Sequence, residues 1–250
     1  MKNRKCYIHI GNFKTGSTTL QKLLFLNQSF LKKNNLGVIY ERNFFKKTIN
    51  NMKLFRYFNE LDEKNIAKYI KLNSSKHLIL SSEYFSCISY DLNKIFFLKK
   101  IIIKLGYKPI IIFLGRNYIS FFNSLYREVL KQNKSLEYKD NIMEYLKKIK
   151  KYGYYFYNKN NKYYLSQNYY YKNNVIKKNW KKVFNKNFVY LEFNKKSKNK
   201  FIFDFIKILN LEKSNFEIPE VQNKTTIKFW HIKRILTKLF IYIYSYMLIK

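Results

Sequence analysis

Four short apolar runs recur along the chain, and this pattern constrains its fold more than any other feature. The runs are residues 5–10, 77–81 (HLILS), 109–114 (PIIIFL) and 188–193 (FVYLEF). The segments between them carry apolar residues at helical spacing. Strands that alternate with helices pair in parallel, and helices cover both faces of the resulting sheet. The sequence therefore predicts an α/β fold, with a parallel sheet flanked by helices in a single domain over residues 1–226.

Several segments between the runs have a clear helical pattern. After the first run, apolar residues recur at helical spacing from residue 20 to 31, and Ser17 or Thr18 is placed to cap the helix. Further helices are predicted over residues 92–106, 118–129 and 201–209. We expect Gly106 to end the first of these, because glycine adopts the left-handed conformation that often follows a helix.

The net charge is extreme, with 50 Lys and Arg residues against 15 Asp and Glu residues, or +35 formally. Such a charge suits a polyanionic partner. However, the lysines are spread along the whole chain, and Lys, Asn, Ile, Tyr and Phe are all in excess while Ala67 is the single alanine. A/T-rich codons produce this composition without selection for charge. We favour compositional drift and expect no specific nucleic-acid partner.

The two cysteines and the first residues of the chain bear on its compartment. Cys6 and Cys87 lie in apolar segments, as is typical of buried thiols in a reducing compartment. The residues before Gly11 include basic side chains but no apolar run as long as that of a signal peptide. We therefore expect a cytoplasmic protein.

The turn after the first apolar run has the features of an anion-binding loop. In KCYIHIGNFKTGSTT (residues 5–19), Gly11 and Gly16 have the spacing of a Walker loop, but Ser17 stands where that loop has its lysine, and Lys14 lies inside the loop. The helix that follows offers free N–H groups and the positive end of its dipole. Taken alone, the stretch also fits an ordinary strand–helix turn with a surface lysine. The residues of the predicted anion site are Gly11, Asn12, Phe13, Lys14, Thr15, Gly16, Ser17 and Thr18.

A second stretch, IIIFLGRNYISFFNSLYREVL (residues 110–130), suggests a partner for this turn. Arg116 lies just beyond the third apolar run, and Ser124 follows eight residues later on the predicted helix. An arginine at the end of a strand and a serine two helical turns later can converge on a phosphate. The sequence thus predicts two anion sites at one edge of the sheet.

These two stretches resemble the sulfotransferase family. HIGNFKTGSTTLQ is similar to that family's 5'-phosphosulfate loop, in which a lysine precedes a small residue, a glycine and two hydroxyl residues. The spacing from Arg116 to Ser124 resembles the family's 3'-phosphate-binding pair, and the overall run is most similar to bacterial members that modify carbohydrates. Looser similarities are SSE (81–83), NWKKVFNKNFVYLEF (179–193) and NKTT (223–226).

The resemblance implies a P-loop-NTPase-like sheet and the co-substrate 3'-phosphoadenosine 5'-phosphosulfate, without a metal ion. It implies that Lys14 stabilises the bridging oxygen as the sulfuryl group moves to a hydroxyl of a glycan or a small hydroxylated acceptor. Glu83, after the second apolar run, is the first candidate for the general base, and His9 is the second. Each has a structural alternative: a solvated acid or helix cap for Glu83, and a core histidine for His9.

Two other classes of protein stay open on the sequence. A P-loop kinase or ATPase needs an acidic Mg²⁺ ligand after a strand, which Glu83 could supply, but it also needs a lysine after the second glycine. A non-enzymatic protein that binds membranes or nucleic acid would explain the charge. It would not explain why the Lys14 and Arg116 stretches occur together.

Two further segments have open interpretations. Residues 131–175 are polar and rich in tyrosine, which fits a lid or acceptor-binding excursion or simply the abundance of tyrosine in this chain. Residues 227–250 predict a basic, aromatic C-terminal helix. It could lie on an anionic membrane surface, making the protein peripheral at the inner membrane face, or pack on the sheet.

Overall fold

The computed structural model describes most of the predicted α/β region. The described residues are 4–12, 15–39, 50–72, 75–117, 120–121, 173–194, 197 and 199–219, with the backbone of 154–158 and 161–165. The strands are β1 (Lys5–Gly11), β2 (Leu36–Val38), β3 (His77–Ser81), β4 (Lys108–Arg116), β5 (Tyr154–Asn158), β6 (Asn161–Leu165) and β7 (Phe188–Phe193). The α-helices are α1 (Ser17–Leu26), α2 (Gln28–Lys33), α3 (Met52–Asn59), α4 (Glu63–Lys71), α5 (Leu92–Lys104), α6 (Asn173–Phe184) and α7 (Lys200–Ile208). Short 3₁₀ helices span Glu83–Tyr90, Asn185–Asn187 and Lys213–Asn215.

Five strands form one sheet in the order β2-β3-β1-β4-β7, and every pairing between them is parallel. β4 is the longest of these strands, and its residues from 111 to 116 are all buried. A strand covered on both faces reads as a continuous apolar run, which is why PIIIFL is such a strong signal. The predicted α/β class with a parallel sheet is confirmed.

Helices cover both faces of the sheet and enclose two apolar clusters. On one face, Leu20, Leu23 and Leu24 of α1 pack with Phe201 and Phe205 of α7 against alternate residues of the strands. The other face packs against α3, α4, α5 and α6, including the fully buried Trp180. Burial of this much apolar surface at roughly 25 cal/mol per Å² is the main stabilising term.

The strand order creates a crevice at the carboxyl edge of the sheet. The chain leaves β1 toward β2 at one edge of the sheet, whereas β4 leads to β7 at the other edge. The connections of two neighbouring strands therefore leave in opposite directions. In open α/β sheets, ligands bind at this switch point, outside the carboxyl ends of the strands. Here the switch point lies between β1 and β4.

Strand ends differ from the sequence expectation in one informative place. The strands at 77–81 and 188–193 have the predicted bounds, and β1 runs one residue further than expected. β4 continues through Gly115 to Arg116, although the predicted strand ended at residue 114 and placed Arg116 beyond it. A Cβ on Gly115 would lie 2.6 Å from the Tyr190 ring. Gly115 therefore allows close packing within the strand, and Arg116 is its last residue instead of lying beyond it.

The predicted cap of the first helix is wrong. Gly16 occupies the cap position with φ of 92°, no side chain caps the helix, and Ser17 is the first helical residue. The predicted single helix to residue 31 is also two helices, interrupted at Asn27, whose side-chain amide donates to the Leu23 and Glu217 carbonyls. We did not predict β2, α3, α4 or α6. The last three had a usable signal, because their buried apolar residues recur at helical spacing, such as Leu54 and Phe58 of α3 or Ile66 and Ile70 of α4.

Several other expectations can be compared with the structure. The helix predicted at 92–106 is α5, with Asp91 as its cap and Gly106 just past its end in the left-handed conformation. Cys6 is fully buried and Cys87 is partly buried, without a disulfide. Within residues 131–175, β5 and β6 form an antiparallel hairpin, and α6 begins at Asn173. The rest of that excursion, most of 118–129 and all of 227–250 lie outside the described residues.

None of the helices in the described ranges combines the length and apolar character that crossing a bilayer requires.

Candidate functional site

Three predicted site segments lie side by side at the carboxyl edge of the sheet. β1 is flanked by β3 and β4, with His9 opposite Ser81 and Gly11 opposite Leu114. The turn that follows Gly11 therefore lies between the residues that follow β3 and the end of β4. Glu83, the glycine turn and Arg116 share one edge, as the pattern of strands predicted.

The turn after β1 is held by its own backbone and by β4. The Asn12 N–H donates to the Leu114 carbonyl at 3.4 Å, and the Thr15 hydroxyl donates to the Asn12 carbonyl. Gly16 then adopts its left-handed conformation, and α1 starts at Ser17. The Thr19 and Leu20 N–H groups donate to the Gly16 carbonyl at 3.0 and 3.2 Å. The positive end of the α1 dipole therefore lies at the switch point.

The predicted loop residues differ in their exposure. Gly11, Asn12, Thr15 and Ser17 are buried, whereas Thr18 is exposed on the first turn of α1. Phe13 and Lys14 lie outside the described residues.

Three buried polar atoms beneath the turn have no hydrogen-bond partner among the described residues: His9 Nε2, Asn12 Oδ1 and Ser17 Oγ. A Cβ on Gly11 would lie 2.9 Å from Ser17 Oγ and 3.2 Å from His9 Nε2. The absence of a side chain at Gly11 thus leaves room for both polar atoms. Buried polar groups are costly without a partner, so such a cluster marks a place where a ligand or water satisfies them.

His9 is completely buried beneath the turn. Its Nδ1 lies 2.8 Å from Ser81 Oγ, and the backbone N–H of Ser81 in turn donates to Asn51 Oδ1 at 2.6 Å. Burial lowers the pKa of His9 to about 3, so the imidazole is neutral at physiological pH. Complete burial disfavours direct contact between His9 and an acceptor hydroxyl, and favours the core-histidine interpretation.

Arg116 brings a positive charge into the crevice. It is only 3% exposed, and its guanidinium lies over the Phe193 ring at 5.0 Å from the centroid. Its Nε donates to Ser120 Oγ at 2.8 Å. Sequence reasoning missed Ser120, although its position four residues after Arg116 was a usable signal. The predicted partner, Ser124, lies outside the described residues.

Phe193 connects the two segments that the sequence predicts to bind anions. The ring that lies under the Arg116 guanidinium also packs so closely on Gly16 that a Cβ there would be 2.6 Å from Phe193 Cδ2. The turn and the arginine are therefore held against the same aromatic side chain.

Glu83 is held by α1. It is the first residue of the 3₁₀ helix at 83–90, which Ser82 caps by accepting a hydrogen bond from the Tyr84 N–H at 3.3 Å. The cap interpretation of Glu83 is therefore wrong. Its Oε2 accepts from Gln21 Nε2 at 2.8 Å. Gln21 belongs to the helix whose N-terminus forms the turn, so the position of the carboxylate depends on that of the turn.

Asn173, the first residue of α6, reaches the site from far along the chain. Its Oδ1 accepts from Asn12 Nδ2 at 2.6 Å, and its own Nδ2 donates to the Arg116 carbonyl at 2.8 Å. No sequence signal identified it, because the contact joins residues 161 positions apart.

No protein-family model matches this chain, and it has no significant match among curated proteins. Within the part of the chain that the structure describes, no group of three or more His, Cys, Asp or Glu side chains is arranged to hold a metal ion.

Proposed function

We propose that this protein is a sulfotransferase, which moves a sulfuryl group from 3'-phosphoadenosine 5'-phosphosulfate to a hydroxyl of a glycan or related acceptor. The observation that carries the proposal is the placement of the buried Arg116 guanidinium next to a glycine turn whose buried Ser17 hydroxyl has no partner within the described residues. Both lie at the switch point of a parallel sheet, where ligands bind. The resemblance of the two stretches to sulfotransferase motifs is the reason for proposing sulfuryl transfer as the reaction at this site.

The strand order supports a P-loop-NTPase-like architecture for the domain. β1 lies in the centre of the sheet, between β3 and β4, and its carboxyl end enters a glycine turn that opens a helix. Phosphate-binding loops use this arrangement, because the backbone N–H groups and the helix dipole both favour an anion.

The two anion sites have separate roles in the proposal. The turn amides with Ser17 and Thr18 bind the 5'-phosphosulfate, and Arg116 with Ser124 binds the 3'-phosphate. A buried guanidinium is suited to this task because its charge-assisted hydrogen bonds are stronger than those of neutral donors. Lys14, inside the turn, stabilises the negative charge that grows on the bridging oxygen.

The transfer itself needs positioning and charge stabilisation more than covalent help. The acceptor oxygen attacks sulfur in line, the bond from sulfur to the bridging oxygen breaks, and adenosine 3',5'-bisphosphate leaves. Glu83 takes the proton of the acceptor hydroxyl. Its hydrogen bond from Gln21 at 2.8 Å orients the carboxylate relative to α1. His9 supports the turn from below.

A nucleotide kinase or ATPase is the alternative enzyme. Glu83 follows the strand next to β1, which is where such an enzyme has an acidic Mg²⁺ ligand. This alternative predicts stronger binding of ATP–Mg²⁺ than of a bisphosphate that carries phosphates on two different positions of the ribose.

The proposal extends to location. A glycan that grows at the cytoplasmic side of a membrane would be reached by a cytoplasmic protein held at the inner face, and residues 227–250 have the basic and aromatic composition for that contact.

The decisive experiment compares adenosine 3',5'-bisphosphate with ATP–Mg²⁺ by calorimetric titration of the wild type and three variants. We expect the bisphosphate to bind more tightly. Arg116→Ala should weaken it by about 10–100-fold, because charge-assisted contacts contribute roughly 1.5–3 kcal/mol. Lys108→Ala removes a cation from the opposite end of the same strand and should leave affinity unchanged. Glu83→Gln should bind normally but transfer the sulfuryl group more slowly, by roughly 10²–10⁴-fold.

Two outcomes would contradict the proposal. One is tighter binding of ATP–Mg²⁺ than of the bisphosphate, which would favour the kinase alternative. The other is an equal effect of Arg116→Ala and Lys108→Ala, which would leave only general attraction between a basic protein and an anion.

A further inference from the structure

One side chain connects the two halves of the candidate site. Asn173 accepts a hydrogen bond from Asn12 in the turn and donates one to the backbone carbonyl of Arg116, at 2.6 and 2.8 Å. Its amide therefore spans the gap between the carboxyl ends of β1 and β4. These are the two strands whose connections leave in opposite directions at the switch point.

Each residue that Asn173 contacts is fixed within its own segment, so the hydrogen bonds of Asn173 restrain the turn and the end of β4 relative to each other. Asn12 is 2% exposed, its N–H donates to the Leu114 carbonyl, and its carbonyl accepts from the Thr15 hydroxyl. Moving the Asn12 side chain would therefore move the turn. At the end of β4, the second hydrogen bond of Asn173 fixes the backbone of Arg116, the residue that carries the guanidinium.

We propose that Asn173 is a positioning residue that sets the separation between the glycine turn and Arg116, and thereby selects a ligand with two separated anionic groups. This inference rests on the proposed function, since it assigns one anionic group of the ligand to each segment. Asn173 itself need not touch the ligand.

The physical reason is the advantage of binding two linked groups at once. The turn and Arg116 are held at the separation of the two phosphates. Once one phosphate is bound, the second phosphate therefore makes its contact without a further loss of the ligand's translational and rotational freedom. A ligand with one phosphate gains nothing from this separation. Removing the two hydrogen bonds of Asn173 should therefore weaken the binding of the bisphosphate much more than the binding of a monophosphate.

The test compares the binding of adenosine 3',5'-bisphosphate and 5'-AMP to Asn173→Ala, Asn12→Ala and the double variant. For each single variant, we expect a loss of about tenfold in affinity for the bisphosphate, the effect of one lost hydrogen bond, and less than about threefold for 5'-AMP. The double variant should be no weaker than either single variant, because the two amides act as one unit.

Asn179→Ala is the matched control. Asn179 lies on the same helix, and its Nδ2 donates to the Ser89 carbonyl at 2.9 Å, away from the turn. This variant removes an equivalent amide-to-carbonyl hydrogen bond, so it reports on loss of helix anchoring alone. We expect no change in the ratio of the two affinities.

Hydrogen exchange of the ligand-free proteins gives a second readout. The backbone amides of residues 12–16 should exchange faster in Asn173→Ala than in Asn179→Ala or the wild type, because the turn loses its anchor. A sulfate ion in the same experiment should slow exchange in both variants, since it engages the turn only.

The outcomes separate the two proposals. If the wild type does not bind the bisphosphate, the proposed function fails and the inference fails with it. The positioning role alone is overturned if the wild type binds the bisphosphate but Asn173→Ala weakens the binding of both nucleotides equally. It is also overturned if hydrogen exchange of the turn amides is unchanged in that variant.

Discussion

His9 is a completely buried histidine at the predicted site. Its Nδ1 is paired with Ser81, and its Nε2 lies near the Ser17 hydroxyl across the space that a side chain on Gly11 would fill. A neutral imidazole can accept at one nitrogen and donate at the other. Neither His9 Nε2 nor Ser17 Oγ has a hydrogen-bond partner among the described residues, so a ligand or water beside Gly11 can contact both atoms.

The buried state of His9 predicts a dependence of stability on pH. The pKa of His9 is about 3 in the folded protein, whereas an unperturbed histidine has a pKa near 6.5. Between these values the unfolded chain binds the proton and the folded protein does not. Stability is therefore full above pH 6.5 and falls as the pH drops. Linkage gives a loss of about 2 kcal/mol from pH 7 to pH 5.

Urea unfolding of the wild type and His9→Gln at pH 7 and pH 5 measures this effect. In His9→Gln, the free energy of unfolding should differ much less between pH 7 and pH 5 than it does in the wild type. His77→Gln is the control: burial also lowers the pKa of His77, but that residue is only partly buried and its variant should keep most of the pH effect. An unchanged pH dependence in His9→Gln would show that His9 is not responsible.

At the scale of elements, the unit formed by β1, the turn and α1 is shaped by one glycine conformation. The left-handed Gly16 redirects the chain from the strand into the helix and lies against Phe193. The aromatic ring contacts Phe201 on α7 and lies under the Arg116 guanidinium. The direction of α1, and with it the geometry of the proposed anion site, depends on this close approach.

Gly16→Ala tests this dependence, with Gly106→Ala as a matched control. Both glycines have positive φ, 92° and 84°, so alanine is strained at either position by about 1–2 kcal/mol. A Cβ at residue 106 meets nothing within 4 Å, but at residue 16 it meets the Phe193 ring. We expect Gly16→Ala to be the more destabilising in chemical denaturation, by about 1–3 kcal/mol for overpacking. Equal losses would argue against the aromatic contact.

At the scale of the whole molecule, the charge of +35 has to be reconciled with the proposed specific binding of one anionic co-substrate. Basic side chains are distributed along the whole sequence, so any anionic surface attracts this protein at low ionic strength. A specific contact must exceed that background. The C-terminal residues 227–250, with their lysines and aromatic residues, are the segment proposed for such a contact.

Sedimentation with anionic vesicles tests the membrane proposal. Protein with residues 1–250 should bind vesicles at moderate salt, and a variant without residues 228–250 should stay in solution while still binding the bisphosphate. The bisphosphate measurement controls for loss of the fold. Truncation that unfolds the domain would assign the segment to the core, and equal sedimentation of both proteins would mean that general charge accounts for binding.

The sequence alone determined the class of the fold and the edge of the sheet at which the predicted site residues lie. Runs such as HLILS and PIIIFL are buried on both faces, and burial on both faces requires continuous apolar residues that are visible without a structure. Because the carboxyl ends of parallel strands meet at one edge, the turn at Gly11 and Arg116 could be assigned to the same place before any pairing was known.

The tertiary structure decided the relations that depend on distant parts of the chain. Gly115 stands inside a strand because the Tyr190 ring needs the space, and Gly16 replaces a side-chain cap because Phe193 lies against it. Asn173 joins both halves of the site from 161 residues beyond Asn12. Local propensity describes a residue and its immediate neighbours, whereas each of these contacts is set by packing between elements that meet only in the folded protein.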